Sequence, residues 1–194
     1  MAALDKPDLH PEGQLLPETY HFARGTNDIE LLRQAHVGLA NLLDASWAAR
    51  DPELPLKTPY EALVLASIVE KETALESERA KIAGVFVRRL QQGMRLETDP
   101  TVIYGLGEAF DGDLRREDLR NDTPYNTYRR AGLPPTPIAL ASAASLQAAL
   151  HPEGGDALFF VATAAPDGSH YFSSSYEEHV AAVRRYLNRL REQR

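Results

Sequence analysis

Thr58-Pro59-Tyr60-Glu61 opens a helix on which the local signals agree. Thr58 is suited to cap it, Pro59 fits the first helical position, and Glu61 completes a capping box. The helix runs to about Glu72 or Ala74 and carries an apolar stripe. At about 100° per residue, with Leu65 at zero, Ile68 lies near −60°, Val69 near +40° and Glu72 near −20°. Glu72 therefore continues the face that seeks the core, whereas Glu70 falls at roughly 140°, on the side of Leu63. A carboxyl group at the end of a core-facing stripe loses hydration, which disfavours its charged form and raises its pKa. A carboxylic acid kept protonated near neutral pH can donate a proton to a leaving oxygen. The plainer alternative is a helix-terminal glutamate paired with Lys71, Arg79 or Lys81, or simply solvated.

The rest of the pattern is mostly helical. Asn27 is a candidate cap for a long amphipathic helix over 28–49, with Ile29, Leu32, Ala35, Leu39, Leu42, Leu43 and Trp47 among its apolar positions. Another helix begins near Ser77 and stops at Gly93, with Ile82, Val85, Phe86, Leu90 and the stem of Arg89 on its apolar face. Residues 94–141 are irregular and rich in Thr, Asp, Asn, Pro and Tyr, and loops this long are often functional. A short helix within them opens at Pro100 with Asp99 as cap. Ser142–Leu150 reads as a helix, 157–163 and 170–173 as strands joined by turn residues, and 176–192 as a closing amphipathic helix. Residues 1–26, punctuated by Pro and Gly, read as an N-terminal arm with a short extended piece at Thr19–Phe22; residues 27–194 form the main domain. The expected class is α+β: mainly helical, with a small late β-hairpin.

Composition removes several function classes. The 194 residues are 43% hydrophobic and 25% charged, an ordinary globular balance. A net charge of −7 argues against a nucleic-acid footprint. The absence of cysteine excludes disulfides, thiolate zinc sites and cysteine nucleophiles. Six histidines show no tight metal-ligand spacing, so no metal site is expected, and His170 and His179 read as structural hydrogen-bonding groups. No apolar stretch is long enough to span a bilayer, and the opening residues lack a signal-peptide pattern. The Arg-rich end reads as a solvated helix face.

Two further stretches carry chemistry. Met94-Arg95-Leu96-Glu97-Thr98-Asp99 leads into Pro100-Thr101-Val102-Ile103-Tyr104-Gly105, mixing hydroxyl, carboxylate and aromatic groups as a sugar site requires. Asp99 is a candidate second carboxylate as well as a candidate cap. Tyr125-Asn126-Thr127-Tyr128 sets two tyrosines around an amide, which suits a glycan groove or, equally, a turn with core-packed rings.

At these residues the chain resembles the YceG-like (MltG) family of endolytic murein transglycosylases. The matching motifs run through most of the chain: Glu12-Gly13 with Leu16-Pro17-Glu18-Thr19-Tyr20, Ala66-Ser67-Ile68-Val69-Glu70-Lys71-Glu72-Thr73, Glu78-Arg79 with Ile82-Ala83-Gly84-Val85-Phe86, and Gly93 through Gly105. They continue with Tyr125 through Tyr128, Gly132-Leu133-Pro134-Pro135-Thr136-Pro137-Ile138, Gly168-Ser169-His170, Phe172-Ser173 and Glu178-His179.

The resemblance implies a lytic-transglycosylase-like groove that cleaves the β-1,4 bond between N-acetylmuramic acid and N-acetylglucosamine within peptidoglycan glycan strands and leaves 1,6-anhydro ends. It implies Glu72 as the single catalytic acid and base, since Glu72-Thr73 looks like the Glu-Ser step of other lytic transglycosylases. It implies Thr98, Asp99, Tyr125 and Asn126 as groups that position the glycan, with Glu97 and Glu70 in the same substrate-binding set, and no cofactor. A full-length family member would add a cytoplasmic stub, a transmembrane helix and a LysM-like domain. This chain therefore reads as the catalytic domain, placed in the whole protein at the periplasmic face of the inner membrane beside peptidoglycan synthases. Arg88 stands where the family usually has Asn, Glu97 where it has Gln, and a Pro-Gly turn near Leu140–Ser142 is lost. Two other readings stand beside this one: a hydrolysing muramidase-type glycosidase with Asp99 or Glu97 aiming a water, and a non-catalytic peptidoglycan-binding module.

Overall fold

The computed structural model describes residues 1–193. Six helices, α1 (Asp28–Ala48), α2 (Pro59–Glu72), α3 (Glu76–Gln91), α4 (Asp99–Leu106), α5 (Ala143–Leu150) and α6 (Tyr176–Glu192), accompany one hairpin, β1 (Phe159–Ala162) and β2 (His170–Ser173). Single 3-10 turns lie at Ala2–Leu4, Gly107–Ala109 and Asp118–Arg120. The α+β expectation holds.

α2 forms because its start is fixed: Pro59 sits in the first turn, and Thr58 Oγ1 accepts the Glu61 N–H at 3.2 Å. The capping box does not close as expected. The Glu61 carboxylate reaches one residue further back and accepts the Lys57 N–H at 2.6 Å. The single apolar stripe is also too narrow a description: all eight residues from Ala62 to Val69 are buried. The helix is covered on every side, by α1, α3, α4 and α5. Ser67 lies within this buried run, where its hydroxyl donates to Val64 O at 2.7 Å and accepts the Ile138 N–H at 3.0 Å. The loop before α5 is thereby fastened to the central helix.

α3 packs beside α2 and ends at Gly93 in a left-handed turn (φ 66°), where the Met94 N–H bonds Arg89 O at 2.8 Å and the Gly93 N–H bonds Leu90 O at 3.1 Å. Gly84 in mid-helix has a packing reason: a Cβ there would stand 2.3 Å from the Glu153 carbonyl oxygen. α4 opens one residue earlier than expected. Asp99 is its first residue, Thr98 holds the cap position, and neither side chain bonds the free N–H groups of the first turn.

The antiparallel hairpin pairs Phe159 with Ser173 through Ala162 with His170, and α6 lies across both strands. It is fixed to α3 by a buried contact in which Glu78 accepts the His170 N–H at 3.0 Å and meets His170 Nδ1 at 2.7 Å. The N-terminal arm packs on α1 through Leu16 N–H to Ala35 O at 3.2 Å and His36 Nδ1 to Gln14 O at 2.9 Å. The extended piece expected at Thr19–Phe22 is no strand; within the described residues the hairpin has no third partner.

Gly84→Ala places a methyl group against a fixed carbonyl, so it should destabilise the fold by ~1–3 kcal/mol. Urea unfolding of both proteins checks this; an unchanged midpoint would show that the 153–155 loop gives way freely.

Candidate active site

Glu72 is the last residue of α2, and Thr73 leaves the helix in extended conformation (φ −146°). A carboxylate there faces the negative end of the helix dipole, which opposes its ionisation. The side chain is partly buried and accepts a hydrogen bond from the Thr98 hydroxyl. Burial, reinforced by the charge of Asp99, pushes its pKa up to about 7 against the pull of the Thr98 bond.

The segment that brings Thr98 to Glu72 is held by an arginine. Arg89 is only 6% exposed. Its Nε donates to Leu158 O at 2.7 Å, and its Nη1 donates to Arg95 O at 2.8 Å, Leu96 O at 3.1 Å and Glu97 Oε2 at 3.2 Å. One guanidinium thus joins α3, the 95–97 loop and the approach to β1. Glu97 itself adopts φ 53°, a left-handed conformation uncommon for a side-chain-bearing residue. On the other side three threonines interlock. Thr98 N–H bonds Thr127 Oγ1 at 3.1 Å, Thr101 Oγ1 bonds Thr98 O at 2.8 Å, and the Thr101 and Thr127 hydroxyls meet at 2.8 Å. All three residues are buried.

Glu72, Glu97, Thr98 and Asp99 therefore line one cavity of about 350 Å³, together with Tyr128 and the hairpin. Tyr128 Oη donates to Asp99 Oδ1 at 2.7 Å, which accounts for the Asp99 carboxylate that was expected to cap α4. Burial, that bond and the surrounding carboxylates hold the Tyr128 hydroxyl well above its ordinary pKa, so it stays a donor.

The other expected site residues lie outside this cavity. Glu70 points to α5, where its carboxylate accepts both the Ser142 N–H at 3.0 Å and the Ser142 hydroxyl. Those bonds outweigh its partial burial and lower its pKa. The two glutamates at the end of α2 differ in what surrounds them: the Ser142 bonds stabilise Glu70 as carboxylate, whereas desolvation beside Asp99 stabilises Glu72 as acid in spite of the Thr98 bond. Asn126, 1% exposed, spends its amide on the loop: Nδ2 donates to Asp118 O, Leu119 O and Asn121 O, and Oδ1 accepts the Tyr128 N–H at 2.9 Å. Tyr125 packs against Tyr104 and bonds Thr136 Oγ1 at 2.9 Å. Arg88 fastens the 153–157 loop through Glu153 O and Ala157 O, away from the cavity. Among the described residues no group of three His, Asp or Glu side chains is placed to hold a metal ion.

Sequence reasoning passed over Arg89 as an apolar stem and did not join the late hairpin and α6 to the site. Arg89 had a readable signal, a charge on the buried face of α3. The hairpin contact rests on long-range packing that no local pattern carries.

The profile of the YceG-like family matches residues 2–185. The chain belongs to the YceG-like family. A Bacillus subtilis (strain 168) protein named endolytic murein transglycosylase is 37% identical over 180 residues, which cover 92% of this chain and 49% of that protein. A Streptococcus pneumoniae (strain R6) protein of the same name is 32% identical over 190 residues, covering 91% of this chain and 32% of that one. The 2.6 Å crystal structure of a YceG-like protein from Listeria monocytogenes has the same fold, with a TM-score of 0.74 at 36% identity over 93% of this chain and 59% of that one. The chain thus spans half or less of the length of these two curated relatives.

The raised pKa of Glu72 has a thermodynamic signature. The folded state binds the Glu72 proton more tightly than the unfolded chain, so this group's contribution is fully present below the ordinary carboxyl range and is lost as pH rises towards about 7. Glu72→Gln removes that loss and should raise stability at pH 8 relative to pH 5 by on the order of 2–3 kcal/mol compared with the parent. Unfolding followed at both pH values checks it; equal pH dependence in the two proteins would contradict the raised pKa.

Proposed function

We propose that this chain is a catalytic portion of an endolytic peptidoglycan lytic transglycosylase with Glu72 as its acid and base. The observation that carries the reading is one carboxyl group, Glu72, held at a pKa of about 7 in a cavity that it shares with Thr98, Asp99, Glu97 and Tyr128. A carboxyl at that pKa supplies a proton and a base at nearly equal cost, as a group that must do both in one turnover requires.

In this reading protonated Glu72 donates to the glycosidic oxygen between N-acetylmuramic acid and N-acetylglucosamine, and the bond from that oxygen to the anomeric carbon breaks. The muramic acid N-acetyl oxygen assists at the anomeric carbon, one of the exceptions to the two-carboxylate scheme. Glu72, now a carboxylate, takes the proton from the C6 hydroxyl of the same sugar. The C6 oxygen displaces the acetamido oxygen, closes the 1,6-anhydro ring and restores protonated Glu72 with no water consumed. The nucleophile is tethered to its target, which lowers the entropic barrier. Thr98 orients the Glu72 carboxyl. Asp99, itself held by Tyr128, sets a negative charge near the cation that develops at the anomeric carbon.

Glu97, Thr98 and Asp99 remain in the substrate-facing set. Glu70, Tyr125 and Asn126 are assigned instead to building the site, since they do not line the cavity and bond neighbouring elements. Arg89 holds Glu97 and Tyr128 holds Asp99, each through one carboxylate oxygen, so the end groups released by cleavage separate transglycosylation from hydrolysis. No described helix is long and apolar enough to cross a membrane. Action at the outer face of the cytoplasmic membrane alongside peptidoglycan synthases is the setting proposed for the whole protein.

Mass spectrometry of glycan strands after digestion tests this reading. Internal fragments with 1,6-anhydromuramic ends are expected from the parent and reduced by at least about 10²-fold with Glu72→Gln. Reducing ends would establish a hydrolase instead, and undiminished cleavage by the variant would remove Glu72 from the mechanism. Glu70→Gln should retain cleavage. kcat/KM should fall about tenfold per pH unit above about 7, as Glu72 loses the proton it must donate.

A further inference from the structure

The hairpin and α6 also line the cavity that holds Glu72, and two of their side chains keep polar groups unspent by the protein. The first is His179. Its ring stacks on Phe159 at 5.2 Å between centroids, with an interplanar angle of 23°. Nδ1 is buried without a hydrogen-bond partner among the described residues. This overturns the expectation of a structurally bonded histidine; His170 meets it, through Glu78, and His179 does not. Nε2 has no hydrogen-bond partner among the described residues either. Burial and the neighbouring Arg89 guanidinium lower the His179 pKa against the opposing charge of Glu97, which keeps the ring neutral near pH 7. A neutral imidazole carries its proton on one of its two nitrogens, and Nε2 is the one not sealed inside the protein.

The second feature is Tyr176. It is 70% exposed at the rim of the same cavity, 6.0 Å from Phe159 and 6.4 Å from His179 between ring centroids. A large aromatic ring left in water beside a polar cavity has no role in the core. Tyrosine joins a flat apolar face to a polar tip, the combination that receives the C–H face of a pyranose and bonds its hydroxyls. Ser175 caps α6 and accepts the Glu178 N–H at 3.2 Å while the Glu178 carboxylate accepts the Ser175 N–H at 3.4 Å, so the first turn that carries Tyr176 and His179 is rigid.

We propose that Tyr176 and His179 form a saccharide subsite on α6, in which Tyr176 stacks against a ring of an N-acetylated hexosamine strand as it leaves the cavity and His179 Nε2–H donates to an oxygen of that strand. The assignment rests on the glycan-cleaving reading given above. These are binding residues; the proton transfers remain with Glu72.

The test uses the whole chain, with purified peptidoglycan glycan strands as substrate and Tyr176→Ala, His179→Ala and His179→Phe as variants. Far-ultraviolet circular dichroism and melting temperatures establish that each is folded. Tyr176→Ala should raise KM about tenfold with kcat nearly unchanged, the size of one lost aromatic contact. His179→Ala should raise KM about fivefold, the size of one lost hydrogen bond. His179→Phe, which keeps a flat ring over Phe159 and removes the donor, should resemble His179→Ala. Wild-type KM in folded variants, with the parent cleaving normally, would overturn the subsite and leave the transglycosylase reading intact. An equal fall in kcat without a change in KM would assign α6 a different role and overturn it too. A parent that neither cleaves nor binds the strands would overturn both readings together.

Discussion

Complete burial of α2 is the constraint from which the site follows. Eight consecutive residues without access to water leave the helix no solvent-facing side, so the other helices must surround it. Its end is where the chain changes from wholly apolar to charged. Glu70, Lys71 and Glu72 emerge there in three directions: onto α5, into water and into the cavity. The proton affinity of Glu72 is thus a property of a helix that terminates at the edge of the core rather than on the surface. The shell around it then adjusts the value. Thr98 lowers it, Asp99 raises it, and both belong to a segment whose position depends on Arg89 and on the Thr98, Thr101 and Thr127 hydroxyls.

Local signals were legible where one short stretch decides the outcome. The Thr58-Pro59 start, the Gly93 stop, the late hairpin and the closing helix all depend on residues within a turn of each other, and the structure has them. The wheel argument reached Glu72 for an incomplete reason. It treated α2 as one-sided, whereas the helix is buried all round, and the distinction from Glu70 comes from the desolvation of Glu72 and from the bonds of Glu70 to Ser142, 72 residues downstream. Asp99 and Asn126 show the opposite case. Each has the chemistry of a local cap or a sugar ligand. Asp99 is taken up by Tyr128, and Asn126 is saturated by three carbonyls and an amide of its own loop. A single sequence does not say which of two partners a short polar side chain will find.

The least legible part was the wall made by Phe159, Tyr176 and His179. Each residue sits in a correctly expected strand or helix, yet nothing in those elements points to Glu72. The connection runs through α3, and Arg89 is its visible trace. A guanidinium in the interior is tolerated because its donors meet the carbonyls of Leu158, Arg95 and Leu96 and the Glu97 carboxylate, and because Phe159 lies 5.0 Å from it. This buried charge bonds segments that are remote in sequence, α3, the 95–97 loop and the approach to β1.

α3 also acts as a ruler. Glu78, Lys81, Arg88 and Arg89 tie it to the hairpin unit at His170, Glu153, Ala157 and Leu158. The ties lie along one side of a single helix with no hinge between them. The gap between the two walls of the groove is therefore counted in helical residues. A one-residue insertion between Glu78 and Arg88 would turn the later ties by about 100° and advance them by about 1.5 Å relative to the earlier one. A turn remote from the cavity can lengthen without altering the groove; this helix has to keep its count.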